Sequence, residues 1–296
     1  MNEEPIADVD QGDFLALVGE IRPELHRYCA RLMGSVIDGE DVVQDAIAKA
    51  YETLETLKAK PALRSWLFRI AHNRALDLLR GRSLRVAEPI EVASEMPDDD
   101  TPDPLETLMH REAVATAVSR FVELPTMQRS VVILKDVLGQ SLNDIADLLD
   151  LSVDAVKGHV ARGRTRLVEI NSRPPATRAE GTYSSANLRY IELFNRRDWD
   201  GLRALLADDV KLHQATYPTR TGANAGMFFT IYARFPQVHL APAWLKGEEV
   251  IAVFENGLAA KPHHFMRIGW RNGRITSIHD YRYVPYVVDN AELTLR

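Results

Sequence analysis

The sequence predicts a multidomain protein: two all-α domains, a helical bundle and a helix-turn-helix domain, followed by an α+β domain with a curved antiparallel sheet. Three observations carry this prediction. Apolar residues recur at helical spacing almost throughout Phe14 to Arg80 and again from about Leu105 to Leu167. A Pro-, Asp- and Glu-rich stretch, Ser83 to Pro104, interrupts the two helical runs. Beyond a second break at Asn171-Ser-Arg-Pro-Pro, helical periodicity gives way to strand alternation. The boundaries follow as 1–82, a linker 83–104, 105–171, a linker 172–184, and 185–296.

In the first domain Asp38-Gly39-Glu40-Asp41 opens a helix with Val43, Ile47, Ala50 and Leu54 on its apolar face. Asp41, Gln44 and Asp45 fall on another side. The next helix follows Pro61, a favoured residue at helix starts, and ends at Gly81. Within it Trp66, Leu67, Ile70 and Ala71 read as core. Arg64, Arg69, Asn73, Arg74 and Arg80 read as an outward polar side.

In the second domain Ser141 opens a short helix with Ile145, Leu148 and Leu149 inward. Asp150-Leu-Ser152 supplies a tight turn, and Ser152 caps the following helix, Val153 to about Val168. Val156, Val160 and Leu167 face inward on that helix, while Lys157, His159, Arg162, Arg164 and Arg166 crowd the rest. A basic helix behind a short first helix is the geometry that enters a major groove. A surface helix with a solvated charge face is the plainer alternative.

The third domain begins with helices at about Ser185–Arg196 and Trp199–Leu206. Strands follow, the clearest being a hairpin from His263 to Tyr281 turned by Asn272-Gly273. Alternation puts His264, Met266, Ile268 and Trp270 on one face and His263, Phe265 and Arg267 on the other. The strand histidines His213, His239, His263, His264 and His279 therefore do not all converge. No catalytic set, metal site or cofactor is expected.

The formal net charge is −6, against the habit of nucleic-acid binders, but acidic residues concentrate at Glu3–Asp10 and Glu95–Asp103, leaving locally basic helices. The single cysteine, Cys29, excludes an intramolecular disulfide and a multi-cysteine zinc site, and its apolar setting predicts an inert buried thiol. No apolar stretch approaches bilayer length and no signal core is visible, so a cytoplasmic protein without membrane contact is expected.

Three segments in series resemble bacterial RNA polymerase sigma factors of the extracytoplasmic-function (ECF) group within the sigma-70 family. Asp41-Val-Val-Gln-Asp45 is similar to region 2.2, which docks on the clamp coiled coil of the β′ subunit. Ser65 to Arg80 is similar to regions 2.3 and 2.4, which open and read the −10 element. Leu124-Pro125 to Leu167 is similar to region 4, which reads the −35 element beside the β flap. The resemblance implies a factor that binds core RNA polymerase and directs promoter recognition, with no enzymatic activity. It assigns Asp41, Gln44 and Asp45 to the polymerase; Lys58, Lys60, Arg69, Asn73 and Arg80 to −10 DNA; and Ser152, Lys157, His159, Arg162 and Arg164 to −35 DNA. An acidic–amide–acidic patch suits a basic partner surface, and arginine fits guanine with two bonds where lysine more often holds phosphate. Two departures stand out: Asp150 where the group has Gly, and Ile47 where an aromatic is common. Asp98, Asp99, Asp100 and Asp103 are either an RNA mimic in a positive channel or a solubilising spacer.

The stretch from Tyr190 to Val210 resembles the start of SnoaL-like, nuclear-transport-factor-like cone domains. That likeness implies a pocket inside the curved sheet, an unidentified small ligand being one occupant, and a regulatory domain contacting the sigma domains in the same chain. The rival readings are a free-standing helix-turn-helix regulator with a ligand-sensing cone domain, and an enzyme with the helices as a targeting module.

Overall fold

The computed structural model describes residues 11–54, 63–83, 113, 116–174, 181–215, 217–245, 247–257, 261–289 and 291–295. They belong to two compact units, Met1–Pro175 and Ala176–Arg296.

The first unit is all helical. It opens with α1 (Gln11–Met33), α2 (Val36–Glu52) and α3 (Leu63–Ser83). Ser35 sets the start of α2, its Oγ accepting the Asp38 N–H at 3.3 Å, so the helix begins ahead of the acidic run taken as its first turn. Helix α3 continues through Gly81, since a glycine weakens a helix by about 1 kcal/mol without breaking it. Phe14, Leu25, Tyr28, Cys29, Val43, Leu67, Phe68 and Ala71 interlock with no solvent exposure. Burial raises the Cys29 thiol pKa, which keeps it protonated and inert.

The second helical run comprises a 3₁₀ segment (Val118–Glu123), α4 (Thr126–Val132), a π turn (Ile133–Val137), α5 (Leu142–Leu149) and α6 (Val153–Ser172). The helix-turn-helix forms as its residues predict. Ser141 and Ser152 cap α5 and α6 by accepting from the Asp144 and Ala155 amides, each at 3.1 Å. Asp150 takes the left-handed conformation between them, at φ 57° and ψ 50°. Ile145, Val156, Val160 and Leu167 are buried. These helices share one apolar core with α1–α3. The approach is close at Gly34, which has φ +69° and where an added Cβ would lie 2.1 Å from Val122 Cγ1. Arg129, only 3% exposed, ties the runs by donating to the carbonyls of Leu32 (2.7 Å), Val122 (3.0 Å) and Leu124 (2.8 Å).

The second unit carries α7 (Ser185–Asn195), α8 (Trp199–Ala204), β1 (Leu206–Gln214), β2 (Tyr217–Thr221), α9 (Ala223–Tyr232), β3 (His239–Leu245), β4 (Glu248–Phe254), β5 (His264–Arg271), β6 (Arg274–Asp280), α10 (Tyr286–Asp289) and β7 (Leu293–Leu295). The seven strands run in the order β2-β1-β6-β5-β4-β3-β7. The sheet is mixed rather than wholly antiparallel, because β1 and β6 pair in parallel. Register breaks in β1 and between Gly269 and Trp270 supply local bends. Asn272 and Gly273 turn the β5–β6 hairpin at φ 50° and 73°, the two positive angles a type I′ turn requires. Tyr190, Phe194, Phe228, Phe229 and Tyr232 from the helices fill the core against Leu212, Val253, Met266 and Ile278. Helix α9 was not expected from the sequence. Its apolar run has almost no polar side, so it lacks the amphipathic signature.

Candidate nucleic-acid interface

Helix α2 presents Asp41, Gln44 and Asp45 opposite its buried side of Val42, Val43, Ala46 and Ala50. Asp41 and Gln44 are half-buried and Asp45 is exposed. Asp45 accepts a two-pronged bond from Arg74 on α3, at 2.9 Å from Nε and 2.8 Å from the terminal nitrogen. The patch is therefore partly neutralised by its own neighbour.

Asn73 is exposed and lines a groove between α2 and α3 with Asp45, Lys49, Arg74 and Asp77. Arg80 is exposed, 3.4 Å from Asp77. Arg69 is exposed too, but donates to the Asp147 carbonyl at the end of α5, at 2.6 Å. Lys58 and Lys60 lie outside the described residues, as does the acidic stretch with Asp98, Asp99, Asp100 and Asp103. Trp66 packs on the core, as its spacing predicts, while Arg64 leaves the DNA side to pair with Glu24 and cover the Phe68 ring.

On α6 the expected −35 set divides. Ser152 is exposed at the helix start, and Lys157, His159 and Arg162 are half-exposed along one stretch of it. Arg162 reaches back to His159 Nδ1 at 3.4 Å. Arg164 departs from its expected role. It turns inward and makes a fork with Asp136, at 3.0 Å from Nε and 2.8 Å from the terminal nitrogen. Its side chain is 12% exposed and that of Asp136 not at all. A buried carboxylate demands a partner, and Arg164 is the cation one helix away. The π turn that sets Asp136 inward leaves no mark on sequence periodicity, so this partner was not foreseen.

In the second unit the strand histidines do not all converge, as alternation implies, but they gather in two separate pairs. His213 and His279, opposite one another on β1 and β6, stack with centroids 4.3 Å apart. His264 and Asp280, with no side-chain exposure, meet at 3.0 Å, joined by Tyr232 and Gln214. His263 turns back toward His264, its Nδ1 2.9 Å from the other Nδ1. His263 lies just before β5 starts, outside the regular pleat from which alternation was argued. The second unit thus holds a buried ionisable pair, His264 and Asp280. Its groups are already satisfied by each other and by Tyr232 and Gln214.

The family model for sigma-70 region 2 matches residues 17–85, and that for sigma-70 region 4 matches residues 119–167. The ECF RNA polymerase sigma factor SigG of Mycobacterium tuberculosis is 31% identical over 292 aligned residues, spanning 89% of this chain and 76% of that protein. The chain belongs to the ECF RNA polymerase sigma factors. SigW of Bacillus subtilis, another ECF sigma factor, is 28% identical across 53% of this chain and 88% of its own length. The crystal structure of the ECF sigma factor SigJ from Mycobacterium tuberculosis aligns over 95% of this sigma factor and all of that chain, with 20% identity and a TM-score of 0.35. As a sigma factor, this protein directs transcription initiation by RNA polymerase. No described helix is long and apolar enough to cross a membrane.

Proposed function

We propose that this sigma factor docks on the β′ clamp coiled coil through Asp41, Gln44 and Asp45 and, with region 4 beside the β flap, places its helix-turn-helix in the −35 major groove. In this reading Ser152, Lys157, His159 and Arg162 meet the −35 element, and Asn73 and Arg80, with Lys58 and Lys60 of the preceding segment, meet the −10 element. The observation that carries the proposal is the separation of roles on α6. Val156, Val160 and Leu167 lock it in the core while Lys157, His159 and Arg162 reach its surface, and Arg164 is withdrawn to hold the frame together. A purely solvated helix has no need of that frame.

The bond from Arg69 to Asp147 supports a further point. Arg69 serves −10 DNA once its exposed side chain releases the Asp147 carbonyl, so promoter engagement exchanges one tie between α3 and α5 for a DNA contact. We assign the C-terminal unit a regulatory role in cis, acting by intramolecular contact with the sigma segments at the high effective concentration that a tether provides. The deciding experiment is run-off transcription with purified core polymerase, comparing the full chain with a form cut at about Asn171. Both forms are expected to support promoter-dependent initiation, with outputs that differ. Tight promoter binding by the full chain without polymerase would favour a free-standing regulator. Equal output and polymerase affinity of the two forms would defeat regulation in cis.

A further inference from the structure

The β4–β5 connection gathers three metal-ligating side chains that the promoter-reading surfaces do not use. Glu255 follows β4, His263 precedes β5 and His264 begins it. One ligand atom from each lies within 4.8 Å of the other two. The two imidazoles face one another through their Nδ1 atoms at 2.9 Å, and Glu255 Oε2 lies 3.9 Å from His263 Nε2. Behind them His264 is fixed on its far side. Its Nε2 meets Asp280 Oδ1 and the Tyr232 hydroxyl, each at 3.0 Å, and Asp280 Oδ2 accepts from Gln214 at 2.9 Å.

We propose that Glu255, His263 and His264 form a binding site for one divalent transition-metal ion of the zinc type. Two imidazoles and a carboxylate, with a fourth position left to water, are a donor set that zinc accepts. Nitrogen donors disfavour magnesium and calcium, which take oxygen. A carboxylate behind the ligating imidazole is the outer-shell arrangement that fixes ring orientation and strengthens the donor, and Asp280 stands in that place. For the two imidazoles the fit needs little movement, since metal–nitrogen bonds of about 2.0–2.1 Å at a tetrahedral angle set the nitrogens about 3.3 Å apart, while the Glu255 carboxylate, within 4.8 Å, swings in to complete the set. His263 is half-exposed and gives the ion a way in. Arg282 approaches Glu255 Oε1 at 3.2 Å, which leaves Oε2 for the ion. The stacked pair His213 and His279 provides an internal control, because the in-plane lone pairs of parallel rings do not meet at a common point.

The test uses the full chain, free of affinity-tag histidines, titrated with Zn²⁺ by calorimetry and then with Co²⁺, whose d–d absorption reports tetrahedral nitrogen and oxygen ligation. One equivalent is expected to bind. His263→Ala and Glu255→Gln, both at partly exposed positions, are each expected to weaken binding at least about tenfold with the circular dichroism spectrum unchanged. His213→Ala is expected to leave it as it was. Absence of saturable one-to-one binding, wild-type affinity in both site variants, or loss that follows His213→Ala would overturn the proposal. The cluster would then be a hydrogen-bonded histidine pair beside a Glu–Arg ion pair.

Discussion

Asp150 shows what a single turn residue contributes. At φ 57° it occupies a region that glycine enters freely, asparagine and aspartate tolerate, and β-branched residues avoid. The tight turn expected at Asp150-Leu-Ser152 forms with aspartate in the left-handed position. Asp150→Val is expected to cost about 1–2 kcal/mol in denaturant unfolding, and Asp150→Gly to be close to neutral. Arg164 and Asp136 make a sharper case. Removing the arginine takes away the fork on a fully buried carboxylate, so Arg164→Leu should cost up to about 3–5 kcal/mol, and adding Asp136→Leu should restore much of it. A double-mutant cycle measures that coupling. A third residue gives a pH signature. Burial, aided by the charge of Arg80, pushes His72 down to about 4, while its ring accepts or donates a 2.7 Å bond with the Tyr28 hydroxyl. The unfolded chain binds a proton below about 6.5, whereas the folded one resists until about 4. Stability contributed by neutral His72 is therefore complete above 6.5 and falls as pH drops toward 4, by on the order of 3 kcal/mol. His279, lowered to about 3 by burial and then by His213 and Arg267, adds the same sign in the second unit. Urea midpoints recorded from neutral pH to pH 4 should slope downward for the native chain and less steeply for His72→Gln.

At the level of elements, the residues that declared themselves in the sequence are those whose role is local. Ser141, Ser152 and Asn272-Gly273 act on amides or dihedrals within a few positions, and each does what its type and spacing imply. The core positions of α5 and α6 follow the helical period for the same reason. What stayed hidden depends on tertiary partners. The parallel pairing of β1 with β6, the inward turn of Arg164 and the meeting of His263 with His264 are all set by chain segments far apart or by a local break in regular geometry. Helix α9 was hidden differently, since an apolar run without a polar face has no period to read. For the proposed −35 element, Arg162→Ala is expected to weaken holoenzyme binding by about 1–3 kcal/mol and to relax preference at one base pair. Lys157→Ala should weaken binding across sequences and flatten the salt dependence by about one counterion. Electrophoretic mobility shifts across a salt series separate these outcomes.

For the whole first unit, the two family-matched segments are one packed body. The sequence suggested two domains on a tether, yet Phe121, Val131 and Ile133 enter the same cluster as Leu25 and Phe68. Gly34→Ala tests whether that body restrains activity. It strains the backbone and drives a methyl group into Val122, so the second segment should be prised from the first. Small-angle scattering is expected to show a larger radius of gyration, and core-polymerase affinity should rise if opening is part of docking. Adding Val122→Ala, at a 44% exposed position, removes the collision while leaving the backbone strain, and should reverse most of the change. A larger radius with unchanged affinity would show that closure does not limit docking.

The wide turn at Ile133–Val137 has an outcome of its own for how this chain tolerates length changes. It holds one residue more than an α-helical path of the same span, and that surplus aims Asp136 at α6. Deleting Leu134 would let the rod close into ordinary winding and swing the carboxylate by about 100° around its axis. The fork would come undone and the core would lose one fully buried side chain as well, so a one-residue indel here should be felt at the groove-reading helix more strongly than most point substitutions.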